Sequence, residues 1–420
     1  MVTLGVRIEH RRGWAAWTAI GLIAAGAAWP VLRSPHPLGW GAIVLGFLLL
    51  GAAEPPLLRT PLDPPLTLLV LMAGVSLIVT AFPETTTPAA ARLAASVALT
   101  YGLISWARTR TRLRGLGLAL ALIGSLLALV APFIVDWLSN KPFLIPAGLY
   151  DHFPLLVGDT VHPNMMAAAL ILLLPLPTAW MLHAQRLSPR LIVPGVLAAL
   201  MATTLVLTKS RGGYIAAAIA VTSVTWLSRR RRWAVGLGAL AVVAAAFVLL
   251  SGRTSDATEL VTGAADPSTL AFRLTVWRTA LWMVADFPFT GAGMGTFNDV
   301  GALLYPFYEV NNPGTHNWYL QVGVDLGIPG LIALLATLML TLWLGAKALR
   351  AFSHPPDTDL HALTAGALAG LIGLMAHGLV DNTLWNSRAA LLPWAVIALL
   401  IALYRWSERP AAAQDARLTP

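Results

Sequence analysis

The stretch LIVPGVLAALMATTLVLTKSRGGYIAAAIAVTSVTWL (Leu191–Leu227) sets two apolar runs, 191–207 and 213–227, on either side of a short polar turn that holds Lys209 and Arg211. Each run approaches the roughly 20 apolar residues that cross a bilayer, and so short a turn joins them as an antiparallel helix pair. The pattern continues in both directions. Apolar runs at about 14–32, 38–53, 66–82, 89–106, 115–135, 165–182, 191–207, 213–227, 233–250, 318–346, 361–381 and 389–404 predict twelve helices. Composition agrees: 57% of the 420 residues are apolar and 11% charged, against about 25% charged in a soluble domain. The mean hydropathy is +0.72, which excludes a disordered chain, and the absence of cysteine excludes a disulfide scaffold. The expected fold is an all-α polytopic membrane protein.

The charges set an orientation. With the N-terminus inside, the inner segments hold nineteen of the 28 basic residues: Arg7, Arg11, Arg12, Arg59, Arg108, Arg110, Arg112, Arg114, Arg186, Arg190, Arg229 to Arg232, Lys347, Arg350, Arg405, Arg409 and Arg417. The outer segments hold nine: Arg33, Arg92, Lys141, Lys209, Arg211, Arg253, Arg273, Arg278 and Arg388. By the positive-inside rule both termini are cytoplasmic. The net charge of +9 is therefore topology, and the Arg229–Arg232 run reads as an anchor to anionic inner-leaflet lipid, with no nucleic-acid partner. The first span follows a basic segment and reads as an uncleaved signal anchor. The expected organisation is helices one to nine over 1–250, a large outer loop over 251–315, helices ten to twelve over 316–404 and a cytoplasmic tail over 405–420.

In the large loop, Asp266-Pro267-Ser268-Thr269 is a helix start, with Asp266 as cap and Pro267 at the first helical position. It predicts a helix over about 267–285. Leu270, Leu274, Trp277, Leu281 and Val284 recur there at helical spacing and are expected to face the outer membrane surface or the bundle mouth. The following Gly291, Gly293 and Gly295 lack the third glycine and the preceding strand of a dinucleotide fingerprint, so they predict a tight turn.

Chemistry is sought among the outer polar residues. Cations at an outer bundle mouth require an anionic partner. Ser210, Gly212 and Gly213 beside Lys209 and Arg211 leave backbone N–H groups open at a helix start, a geometry that receives phosphate oxygens. The alternative is an arginine that snorkels to lipid headgroups. Arg273 and Arg278 stand about 140° apart around a helix, so at most one points at a shared ligand. His316 opens a span and suits a general base for a sugar hydroxyl, or else an interfacial histidine bonded to water or backbone. His162, Asn164, His377 and Asp381 add polar groups on the same side, each with a structural alternative. Asp357 and Asp359 have the spacing of a metal-binding pair but fall in a short cytoplasmic loop, where a solvated loop is the simpler reading. No H-E-x-x-H spacing, Walker loop or nucleophile elbow is present.

Taken in order, these segments resemble the O-antigen ligase/polymerase family of membrane glycosyltransferases. The matching pieces are Ser210-Arg211-Gly212-Gly213; Arg273 with Trp277, Ala280 and Pro288; His316-Asn317 with Tyr319, Leu320 and Gly327; and His162-Pro163-Asn164. The resemblance implies a GT-C-like helical bundle in the bacterial inner membrane with its site on the periplasmic face. It also implies transfer without metal or cofactor. The donor would be a glycan on undecaprenyl diphosphate, and the acceptor lipid A-core, a growing glycan or a protein. Arg211 and Arg273 would bind the diphosphate and His316 would activate the acceptor. Lys209, Ser210, Gly212, Arg278, Asn317, Tyr319, His162, Asn164, His377 and Asp381 are the expected substrate-binding residues. The chain departs from the family at one point: the family often has Glu before the Gly, whereas here Asp325 stands two residues before Gly327 and receives no catalytic role. O-antigen ligase is the expected activity, with polymerase or protein O-oligosaccharyltransferase as alternatives inside the family. A lipid-linked glycan transporter or flippase is the rival outside it, disfavoured because most charges lie at span ends.

Overall fold

The computed structural model describes residues 2–53, 59–137, 160–184, 189–228, 230, 233–238, 270–305, 314–354, 356–382 and 384–409. Its elements are α1 (Val2–Leu32), α2 (Pro37–Ala53), α3 (Asp63–Val79), α4 (Pro83–Trp106), α5 (Arg110–Ile134), α6 (Pro163–Leu173), α7 (Pro175–His183), α8 (Ile192–Leu207), α9 (Arg211–Leu227), α10 (Leu270–Asp286), α11 (Phe297–Leu304), α12 (Trp318–Ala351), α13 (Thr358–His377) and α14 (Leu391–Ser407). No strand occurs among the described residues, so the all-helical expectation holds. Eleven of the apolar runs coincide with these helices when α6 and α7 count as one, bent at Leu174 ahead of Pro175. Most of the run at 233–250, the cap at Asp266 and the tail from 410 lie outside the described residues.

Among the described residues five helices are long and apolar enough to cross a membrane: Gly13–Leu32, Arg110–Ile134, Pro163–His183, Trp318–Ala351 and Thr358–His377. Pro37–Ala53, Asp63–Val79, Ile192–Leu207 and Leu391–Ser407 are apolar but have 16 or 17 residues. At 1.5 Å per residue they extend about 25 Å, short of a hydrocarbon core of roughly 30 Å.

Helix α13 is the central post, with α6, α7, α9, α12 and α14 packed around it. Its Gly366, Gly370 and Gly373 make that packing close. A Cβ on Gly370 would stand 2.0 Å from the Leu172 carbonyl oxygen, and one on Gly366 would stand 2.8 Å from that of Pro175. Small residues let helix backbones approach where no solvent drives association. The consequence for the site is positional: the C-terminus of α13 and the N-termini of α6 and α9 meet at one end of the bundle.

The opposite end gathers the arginines assigned to the inner loops. Arg405 donates to the Arg59 carbonyl at 2.6 Å, Arg409 to that of Arg108 at 2.7 Å, and Arg110 pairs with Asp357 at 2.8 Å. Asp357 also caps α13 by accepting from Leu360 N, and Asp359 lies 3.4 Å from Arg114. This aspartate pair is a helix cap with arginine partners.

Over the site end lies a layer formed by α10 and α11. Phe272, Val276, Ala280 and Met283 of α10 pack with Ala292, Phe297, Val300 and Val324. Of the two placements expected for the stripe, Leu274 and Leu281 take the one turned away from the bundle, at 53% and 55% exposed. The helix carries apolar residues nearly all round, so periodicity alone does not select the side that meets α12. The turn after α10 holds Gly291, Gly293 and Gly295 at positive φ and packs against a kink in α12 at Gly327, φ 68°. A Cβ on Gly291 would lie 2.6 Å from the Asp325 backbone, and Ala292 N donates to the Val324 carbonyl at 2.7 Å.

Candidate active site

At the start of α9, the Ser210 hydroxyl caps the helix by accepting from Gly213 N at 3.1 Å. Lys209 is buried with φ 51°, and Arg211 follows as the first helical residue, exposed. Gly212 has no side chain to hold the turn off its neighbour: a Cβ there would meet Val380 Cγ2 at 2.7 Å. The carbonyl of Val380 accepts from Arg273 Nη1 at 2.6 Å, which fixes the α10 guanidinium over the end of α13. Burial, reinforced by Arg211, lowers the pKa of Arg273, and Asp381 opposes that shift. The Nε of Arg273 is buried without a hydrogen-bond partner among the described residues.

Asp381 is the carboxylate in this cluster. Its Oδ2 accepts from Asn164 Nδ2 at 2.6 Å and its Oδ1 from Asn382 N at 2.8 Å. Burial pushes the carboxyl upward, but His316, His377 and Arg273 together outweigh it and hold Asp381 below the usual carboxylate range. His316 Nδ1 lies 3.9 Å from Asp381 Oδ1, beyond hydrogen-bond length, and is buried. The ring stands edge-on to Phe272, centroids 6.3 Å apart. Its backbone has φ 50°, a conformation uncommon outside glycine, and its neighbours secure it. Thr315 N donates to Gln321 Oε1 at 2.8 Å, Asn317 Nδ2 to the Leu379 carbonyl at 2.9 Å, and Trp318 N to the Gly378 carbonyl at 2.7 Å.

One mouth thus collects Arg211, Arg273, Lys209, His316 and Asp381 from four separate parts of the chain. Among the described residues, three permanent cations stand with one carboxylate, and no group of three His, Asp or Glu is placed to hold a metal ion.

Residues 196–335 match the family model described as O-antigen ligase. Over this segment, a third of its length, the chain is similar to the O-antigen ligase family. Its members are glycosyltransferase-like enzymes. No curated protein matches the chain. The matched segment runs from α8 into α12 and includes Arg211, Arg273 and His316. Asp381, His377, His162 and Asn164 lie outside it, yet the fold brings Asp381 and Asn164 to the same mouth.

The other expected site residues divide. His377 is buried one turn before Asp381 and lines a small cavity with Trp318, Leu374, Gly378, Asp381, Asn382 and Leu384. Asn317 caps α12 by accepting from Tyr319 N and Leu320 N. His162 caps α6, its Nδ1 accepting from Asn164 N at 3.1 Å. Tyr319 donates to the Met375 carbonyl at 2.9 Å, which turns it along α13. Arg278 lies over the Trp282 ring at 4.9 Å on an exposed side of α10, away from Arg273.

Sequence reasoning missed the support beneath the cluster. Asn382 Nδ2 donates to Gln321 Oε1 at 2.9 Å, and Gln321 Nε2 donates to Asp325 Oδ1 at 2.9 Å. Asp325, fully buried, also accepts from Gly295 N at 3.1 Å and Trp385 Nε1 at 2.7 Å. It clamps the glycine turn, α12 and the loop after α13 together. The sequence signal available was Gln321 and Asp325 one turn apart on an otherwise apolar helix.

Proposed function

We propose that the chain is a membrane glycosyltransferase that moves a glycan from an undecaprenyl-diphosphate carrier to an acceptor hydroxyl, with O-antigen ligation to lipid A-core as the leading activity. Polymerase and protein O-glycosylation differ from it only in the acceptor. The observation that supports this reading best is the pairing of Arg211 and Arg273 beside His316 at one mouth. Guanidinium groups match phosphate oxygens, and in a site without metal they are the groups able to offset charge on a departing diphosphate. The twelve-span, GT-C-like topology, the periplasmic position of this mouth and independence of metal belong to the same proposal.

In the proposed step the acceptor oxygen bonds to the anomeric carbon of the donor sugar, and the bond from that carbon to the phosphate oxygen breaks. The carrier leaves as undecaprenyl diphosphate. Ionised Asp381 on the Nδ1 side favours the tautomer protonated there, which leaves Nε2 of His316 to accept the hydroxyl proton. Asn164 and Asn382 hold the carboxylate in place.

The test is transfer by purified protein from an undecaprenyl-diphosphate-linked glycan, with lipid A-core and unmodified donor offered as separate acceptors. Product on lipid A-core marks a ligase and elongated carrier-linked glycan a polymerase. Arg211→Ala and His316→Ala are each expected to lose about 10²-fold or more of kcat/KM, and a chelator is expected to change nothing. Normal turnover in either variant removes that residue from the mechanism. No product with any acceptor, candidate proteins included, turns the reading toward a transporter.

A further inference from the structure

A further cation, half-buried, lies at the site end. Arg92 stands nine residues into α4, about 13 Å from Pro83 along the helix axis. It lines a cavity with Ser96, Met294, Leu384, Trp385, Asn386 and Trp394. A cation at such depth calls for an anion. Arg110 has Asp357 and Arg273 has Asp381, whereas Arg92 Nε donates to a neutral amide, Asn386 Oδ1, at 2.9 Å. Among the described residues its two terminal nitrogens, with four N–H donors, have no partner. The amide is itself held in place. Asn386 has φ 55°, and Gly295, φ 78°, leaves room for it: a Cβ on Gly295 would stand 2.9 Å from Asn386 Nδ2.

We propose that this cavity is an oxyanion subsite for the acceptor, receiving a phosphate or carboxylate carried on the acceptor saccharide. The assignment rests on the glycosyltransfer reading. Three features favour it. A guanidinium with both terminal nitrogens open suits bidentate capture of an oxyanion. Asn386, only half-buried, offers an amide to a sugar hydroxyl, while buried Trp385 and Trp394 form the apolar floor that holds the guanidinium in place. Leu384 lines both this cavity and the one that holds His377 and Asp381. An oxyanion here is therefore one side chain away from the reaction cluster, on the side that Arg211 and Arg273 do not occupy. A phospholipid headgroup carries the same oxyanion chemistry, so the experiment separates the two sources.

Full-length protein in phosphatidylcholine nanodiscs is offered a phosphorylated core oligosaccharide and its phosphatase-treated twin, first without donor and then with it. Wild type is expected to bind the phosphorylated form about 10-fold or more tightly than the twin. Arg92→Gln should abolish that preference and Arg92→Lys restore part of it, with the ratio of kcat/KM for the two acceptors shifting in parallel. Equal binding of both forms by wild type, or an equal preference in wild type and Arg92→Gln, overturns the subsite. So does an Arg92-dependent retention of phosphatidylglycerol from mixed nanodiscs without any saccharide preference, which assigns the cavity to lipid. If no transfer occurs but the Arg92-dependent preference does, the subsite stands and the transfer reading falls. Because Arg92→Lys keeps the charge on a similarly long, slightly shorter side chain, its partial recovery distinguishes binding from a failure to fold.

Discussion

Among single residues, Asp381 makes the sharpest demand on the proposed mechanism. It touches neither leaving group nor acceptor in the proposed step, and works through His316 and Arg273 as a positioning residue. Asp381→Asn is expected to lower kcat/KM by about 10²-fold or more, chiefly in kcat, because the imidazole loses the charge that favours its productive tautomer. The pH dependence tests the same point. The folded-state pKa of Asp381 is depressed, with His316, His377 and Arg273 outweighing the upward push of burial. A depressed carboxylate contributes stability that is complete above its unfolded pKa, about 3.9, and lost as pH falls through the lower folded value. Asp381 is then ionised throughout pH 5–8, and an acid limb of the wild-type rate profile in that window reports another group. A limb between pH 5 and 8 that Asp381→Asn removes would refute this assignment.

At the level of elements, the junction between the glycine turn and the α12 kink determines where His316 and Asp325 stand. Gly291 and Gly327 have φ 71° and 68°, and a Cβ on either would meet backbone atoms within 2.8 Å. Gly291→Ala or Gly327→Ala is therefore expected to cost about 1–3 kcal/mol from backbone strain alone, with the clash adding to it. The measurement is thermal unfolding of detergent-solubilised protein beside Gly74→Ala, where nothing lies within 4 Å. Equal melting of the three would mean that the junction is slack. Helix positions were legible in the sequence because apolar runs and proline breaks are local signals; Pro163, Pro175 and Pro83 sit at helix starts as their missing N–H allows. Helix faces were not. The stripe through Leu274 and Leu281 points outward because α10 is apolar on both sides, and only the surface of α12 decides which side is covered. The partner of His316 was also illegible, since Asp381 lies 65 positions away in sequence and reaches it through the packing of α13. Arg92 could be counted as an outer cation, but a count carries no information on depth.

For the whole molecule, the contacts separate the loops into two sets that agree with the charge count. At one end Arg59, Arg108, Arg110 and Arg114 gather with Arg405, Arg409, Asp357 and Asp359. At the other, Arg92 meets Asn386, Ser76 meets Met294, and Asn164 meets Asp381. An excess of arginine at membrane ends follows the cytoplasmic side, so the end with the reaction cluster is expected to face away from the cytoplasm. The natural chain has no cysteine, which makes single-cysteine labelling direct. Glu84, in the first turn of α4 at the cluster end, and Thr358, beside Asp357 at the arginine end, are both exposed. A membrane-impermeant maleimide added to intact spheroplasts is expected to label Glu84→Cys, and to label Thr358→Cys only after permeabilisation. The reversed pattern would place Arg211, Arg273 and His316 on the cytoplasmic side, and the proposal of a lipid-linked donor presented at the outer face would fail with the orientation.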